Sequence, residues 1–298
     1  MAVQQTASDK PKVFKILEKT WLWYTLSLAV IVAGLLAIVF NGLNVGIDFT
    51  GGTNLMVRFS EQVQLADVRS ELQKFGIEKY TVQKIGQEST NTFLVRMTEL
   101  DQAKRTALLD QIGRNLTGME ILEVDSIGPA IGDELKSQSV WIVLIVLLSL
   151  LVYITFRFEF WSGLAAILAL AHDAFTTIGF IALFRLEIDL AVVVAILTIL
   201  GYSINDTIVI FDRVRENLNI FKKGMTFHDL VNLSLTQTMS RSINTTMTVL
   251  LAILCLIIFG GATIKTFALV LFFGIATGAY SSIFIASPLL ASFKKIKI

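Results

Sequence analysis

Residues 21–40 read WLWYTLSLAVIVAGLLAIVF, twenty consecutive positions without a charged side chain. A helix of that length is about 30 Å long, the thickness of the hydrocarbon core of a bilayer. The run is too long for the apolar core of a signal peptide, and no small-residue cleavage site follows it, so it reads as an uncleaved span. Trp21, Trp23 and Tyr24 supply an interfacial aromatic belt at its start. Five further apolar runs follow, at 139–156, 161–184, 190–211, 244–259 and 267–290, each closed by charge, Gly or Asn. The composition agrees: 54% of residues are hydrophobic, 16% are charged and the mean hydropathy is +0.69, whereas soluble domains carry about 25% charged residues. The single cysteine, Cys255, lies inside an apolar run, so no internal disulfide forms.

Basic residues near span ends set the orientation. Lys10, Lys12, Lys15 and Lys19 precede the first span. Arg213, Arg215, Lys222, Lys223 and Arg241 follow the fourth, and Lys294, Lys295 and Lys297 follow the sixth. The short loops on the other side carry only Arg185 and Lys265. Six spans put both termini on one side, and the basic clusters make it the cytoplasmic side of a plasma (inner) membrane. The expected layout is a cytoplasmic tail (1–20), a first span (21–40), an extracytoplasmic insert (42–134), spans two to six (137–290) and a cytoplasmic tail (291–298). The insert carries 9 Lys and Arg against 14 Asp and Glu, a net charge of −5. That balance argues against nucleic acid and anionic lipid as partners.

The insert changes to soluble patterning. Leu55, Val57 and Phe59 alternate with polar residues over 53–59, which predicts a strand. Leu65, Val68 and Leu72 share one face of a helix over 65–75, stopped at Gly76. Strands are predicted at 80–85 and 92–97 around a polar turn at 86–91, then a helix over 100–116 and a last strand at 120–127. The order is βαββαβ, a ferredoxin-like α+β domain, which by itself specifies no chemistry.

A charge at bilayer depth costs about 2.5–3.5 kcal/mol, so such residues need a partner or a task. Asp173 lies midway along the third span beside His172. Asp206 lies in the fourth span, flanked by Ser203 and Asn205. Arg241 stands at the start of the fifth, followed by Asn244, Thr245 and Thr246. Helical rise places Asp206 roughly 8 Å and Asp173 roughly 18 Å from the cytoplasmic side, a depth at which Asp206 can meet Arg241. A carboxylate alternating between a protonated and an Arg-paired state is a proton switch; the same pair, if static, only pins the bundle. Residues 226–240 read as an amphipathic connector lying on the cytoplasmic face. No phosphate loop, CxxC pair or HExxH motif is present, so no enzymatic site, metal or cofactor is expected.

Several motifs resemble a known family. Gly46-Ile47-Asp48-Phe49-Thr50-Gly51-Gly52-Thr53, directly after the first span, is similar to the sequence that opens the extracytoplasmic domain of the SecF family of protein-export membrane subunits. Ala171-His172-Asp173, Gly201-Tyr202-Ser203-Ile204-Asn205-Asp206-Thr207 with its continuation to Asn217, and Arg241-Ser242-Ile243-Asn244-Thr245-Thr246 resemble that family's third, fourth and fifth spans. The resemblance runs from about residue 12 to the end. It implies a six-helix half of a resistance-nodulation-division type fold, paired with a SecD half. It implies work beside the SecYEG channel and SecA on an exported unfolded polypeptide, with a small accessory membrane subunit as a further partner. It also implies that Asp206 and Arg241 carry proton conduction, with Asp173, His172 and Asn205 as relay candidates. Asp48, Gly51 and Gly52 are expected mainly to shape the turn into the first strand, with Asp48 bonded to nearby backbone. Two other readings remain at this point: half of a proton-coupled small-molecule or lipid exporter, and an assembly factor with a static Asp–Arg pair.

Overall fold

The computed structural model describes residues 13–85, 91–219 and 225–294. Most of the polar turn predicted at 86–91, and Lys10, Lys12, Lys222, Lys223, Lys295 and Lys297, lie outside the described residues. Among the described residues, six helices are long and apolar enough to cross a membrane. They contain α1 (Thr20–Asn41), α5 (Pro129–Arg157), α6 (Phe160–Leu183), α7 (Leu190–Leu218), α8 (Phe227–Phe259) and α9 (Ala262–Ser281). The last span does not end with α9. It passes through a π-helical turn, Ser282–Ala286, into α10 (Ser287–Phe293), which has Pro288 in its first turn.

Two boundaries differ from expectation. Residues 226–240 are not a separate connector: they are the first half of α8, a single 33-residue helix. Thr226 and Asp229 form a capping box at its start, and Phe227, Leu230, Val231 and Leu235 are buried against the bundle, which a helix lying apart on the face would not allow. Likewise α5 begins at Pro129, so residues 129–134, placed in the insert by composition, are the first turns of the second span.

The insert holds two short elements that patterning did not predict, β1 (Asn44–Val45) and α2 (Ile47–Thr50). They precede β2 (Gly52–Phe59), α3 (Leu65–Lys74), β3 (Tyr80–Ile85), β4 (Thr92–Met97), α4 (Gln102–Asn115) and β5 (Met119–Ile127). The sheet order is β3-β4-β2-β5, with every neighbouring pair antiparallel. Alternation sorts its faces. Leu55, Val57, Phe93 and Val95 pack under Val68 and Leu72 of α3 and Leu108 and Ile112 of α4. Asn54, Met56, Leu94 and Arg96 look the other way, into a cleft of about 390 Å³ shared with the loop between α6 and α7.

Glu71 fastens α3 to α4. Its carboxylate is buried, and it accepts from Lys74 Nζ (2.7 Å), Asn115 Nδ2 (2.6 Å) and Gln111 Nε2 (3.1 Å). The Lys74 ammonium first, then the Asn115 amide, hold its carboxyl below the ordinary glutamate range. A depressed carboxyl stabilises the fold above its unfolded value, and that contribution fades as pH falls through the folded one. Glu71→Ala is expected to destabilise the insert by about 2–3 kcal/mol. The readout is faster hydrogen exchange of the α3 and α4 amides at neutral pH, with the difference from the parent shrinking in acid.

Spans α1 and α6 approach to backbone contact. A methyl group built at Gly34 would lie 2.5 Å from Gly179 Cα, so only glycine permits the crossing.

Candidate functional site

On α7, Ile199, Ser203, Asp206, Thr207 and Ile210 fall on one helical face, and all five are buried. That face meets α6, α8 and the last span. Asp173, on α6, is fully buried. Its Oδ2 accepts from Ser203 Oγ (2.5 Å) and from Ser281 Oγ (2.8 Å). Its Oδ1 lies 3.1 Å from His172 Nδ1, and His172 Nε2 is buried without a partner. Gly278 lets the last span approach closely enough for Ser281 to reach Asp173: a methyl group there would stand 3.0 Å from Ser203 Cβ.

Asp206 sits lower on the same face, one-fourteenth exposed or less by area (7%). Its Oδ1 accepts from Ser242 Oγ on α8 (2.6 Å), while Oδ2 is buried and unpartnered. A run of hydroxyls leads from one carboxylate toward the other. Ser281 precedes Ser282, whose Oγ lies 2.8 Å from Thr207 Oγ1, and Thr207 follows Asp206. Ser282 opens the π turn. Such turns put one extra residue into a helix and recur at functional sites; this one begins at the serine that meets α7 at Thr207.

The structure brings Asp173, His172 and Asp206 into this cluster. It does not pair Asp206 with Arg241. The neighbour on α8 is Ser242, the Arg241 side chain is exposed, and no ion pair to Asp206 forms among the described residues. Asn205 also faces outward. Adjacent helix residues point about 100° apart, so Asn205 and Arg241 occupy the faces next to those of Asp206 and Ser242. Ser281 and Ser282 were missed by the sequence reading, although two adjacent hydroxyls in an apolar span were a signal for them. Asp48, Gly51 and Gly52 lie apart, at the end where the insert joins the bundle. Asp48 Oδ2 accepts from Leu190 N (2.8 Å), a distant backbone group rather than a nearby one.

Asp206 has a buried, unpartnered carboxylate oxygen, and hydroxyls, which both donate and accept, lie between it and Asp173.

Two family models match the chain: "Protein export membrane protein SecD/SecF, C-terminal" over residues 108–296 and "SecD/SecF GG Motif" over residues 36–63. Among curated proteins it is similar to the "Protein translocase subunit SecF" of Sebaldella termitidis, 37% identical over 285 residues, 95% of this chain and 92% of that one. The same-named protein of Haemophilus influenzae is 39% identical over 270 residues, 89% of this chain and 81% of that one. Among solved structures it is similar to SecDF, described as a translocon-associated membrane protein, from Thermus thermophilus. The TM-score is 0.87, the identity 35%, and the match covers 95% of this chain but 39% of the solved one.

Proposed function

Because this chain belongs to the SecD/SecF family of protein-export membrane proteins, as a multi-pass auxiliary subunit of Sec export, we propose that it couples proton movement through its spans to the export of unfolded protein. The observation that carries the reading is the pair of buried carboxylates, Asp173 and Asp206, each held by serine hydroxyls and with further hydroxyls between them inside a bundle of spans. A proton taken up at Asp206 removes its charge and weakens the charge-assisted bond from Ser242, the change that lets α7 and α8 repack. Asp206 is the switch, Asp173 and His172 form the relay, and Arg241 supplies a positive field. Asn205 faces outward, where it serves the contact with a partner half.

The chain spans 39% of the solved SecDF chain, and that likeness, with the SecF name of its relatives, supports a SecD partner. The SecYEG channel with SecA, and the polypeptide leaving that channel, are the further partners of this reading. The insert is a ferredoxin-like domain outside the cytoplasm, and both termini are cytoplasmic. Its sheet order, its −5 charge and the basic span ends support that placement.

Two measurements test the assembly. The intact chain, extracted in mild detergent, is expected to bring down a second six-span chain with a larger extracytoplasmic domain; recovery alone would overturn the SecD pairing. A cysteine at the exposed Glu99 is expected to react with a membrane-impermeant maleimide in intact cells, and one at Glu216 only after lysis. The opposite pattern reverses the orientation.

A further inference from the structure

Both helices that carry the insert covalently are peripheral within this chain. The apolar window of α1 is 17% buried and that of α5 is 11%, against 44% for α7. They are nonetheless anchored, α1 by its backbone crossing with α6 at Gly34, and they are not all that fixes the insert relative to the bundle. A separate set of contacts also does so, made to the loop between α6 and α7 and to the first residue of α7. Asn44 and Val45 pair in parallel with Glu187 and Ile188 of β6 (Glu187–Ile188). Gly46 N donates to Ile188 O (2.9 Å), and Asn44 Nδ2 donates to Arg185 O (3.2 Å). Arg96, on the helix-free face of the sheet, makes an ion pair with Glu187, and both side chains are more than four-fifths buried. Asp48 accepts from Leu190 N, the first residue of α7.

The two bodies that meet here are each rigid. Gly51, at φ +69°, packs on Pro129, where a methyl group would come within 2.8 Å of its Cα. Gly132 fits equally closely against Gly51 N. The segment 46–52, the insert and the start of α5 thus form one body. The other is α7, unbroken from Leu190 to Leu218. Sixteen residues, about 24 Å of helix, separate its capped end from Asp206. Burial in the cleft pushes the Glu187 carboxyl up, and the Arg96 guanidinium pulls it back; Asp189 and Asp125 are raised, chiefly by burial.

We propose that Asp48 is a positioning residue that, with the Arg96–Glu187 pair, makes the start of α7 the drive link to the insert. A shift of α7 reaches the insert through this joint, in addition to the covalent tethers α1 and α5. The inference rests on the reading of Asp206 as the proton switch only for what sets α7 in motion; the joint itself is tested without protons. Spin labels at Glu78 on the insert and Val194 on α7, in the purified complex with SecD at one neutral pH, report the joint as a distance distribution. The parent is expected to give one narrow distance. In Asp48→Ala/Glu187→Gln the population of detached inserts is expected to rise about tenfold, ~1.4 kcal/mol. Asp48→Asn, which keeps the capping oxygen, is expected to restore the narrow distance in an otherwise native chain. In the double variant proton-dependent current persists while export falls, a split that general damage does not produce. Where the double variant fails to accumulate, Asp48→Ala alone gives the same comparison. An unchanged distribution, or current and export lost together, overturns the joint. If Asp206→Asn keeps its full current, the proton reading fails while the distances still judge the joint.

Discussion

Asp206→Asn is expected to abolish the proton-dependent stimulation of export while leaving the protein's abundance and its pairing with SecD unchanged. Asparagine has nearly the shape of aspartate and keeps an oxygen for Ser242 Oγ, which donates to Asp206 Oδ1 over 2.6 Å. A static hydrogen bond therefore survives the substitution almost intact, whereas a titrating group does not. The expected fall is about tenfold or more in the proton-dependent part of export, at least ~1.4 kcal/mol of lost coupling. Ser242→Ala gives the graded comparison. It removes one hydrogen bond to a carboxylate, worth about 1.5–3 kcal/mol, and leaves the acid able to titrate, so it shifts the pH profile of export without eliminating it. Normal export together with unchanged proton-dependent current in Asp206→Asn would remove the proton role and leave the acid as a structural tie.

Gly34→Val is expected to be the most damaging single change to the membrane bundle. The added side chain meets Gly179 backbone, not the far end of a flexible side chain, so no rotamer change relieves it. Overpacking of ordinary side chains costs about 1–3 kcal/mol; here the helices themselves must separate, which places the cost at or above the top of that range. The measurement is thermal unfolding of the detergent-purified chain, with Gly201→Ala as control, since a methyl group at Gly201 meets nothing within 4 Å. Equal melting of the two variants would contradict the backbone contact between α1 and α6.

The six spans were legible because charge-free runs of the required length have few other uses in a protein. The strands of the insert were legible because Leu55, Val57 and Phe59, and Phe93 and Val95, alternate as a half-buried sheet demands. The pairing of Asp206 with Arg241 was not. Height along a helix follows from residue count, but direction around it depends on how the helices are rotated, and one residue moves a side chain by about 100°. That step separates Arg241, which is exposed, from Ser242, which is buried on Asp206. Ser281 and Ser282 hid for another reason. Both hydroxyls lie within hydrogen-bond reach of the carbonyl of Gly278 in their own helix, at 3.0 and 3.1 Å, so they sit in an apolar run without breaking it. The partner of Asp48 lies 142 residues away, beyond the reach of any local pattern.

That last separation also orders the birth of the molecule. Residues 44–48 leave the ribosome long before residues 187–190, and the core of the insert closes without them. The core of the insert can therefore close before its seat exists, and only α7 completes that seat.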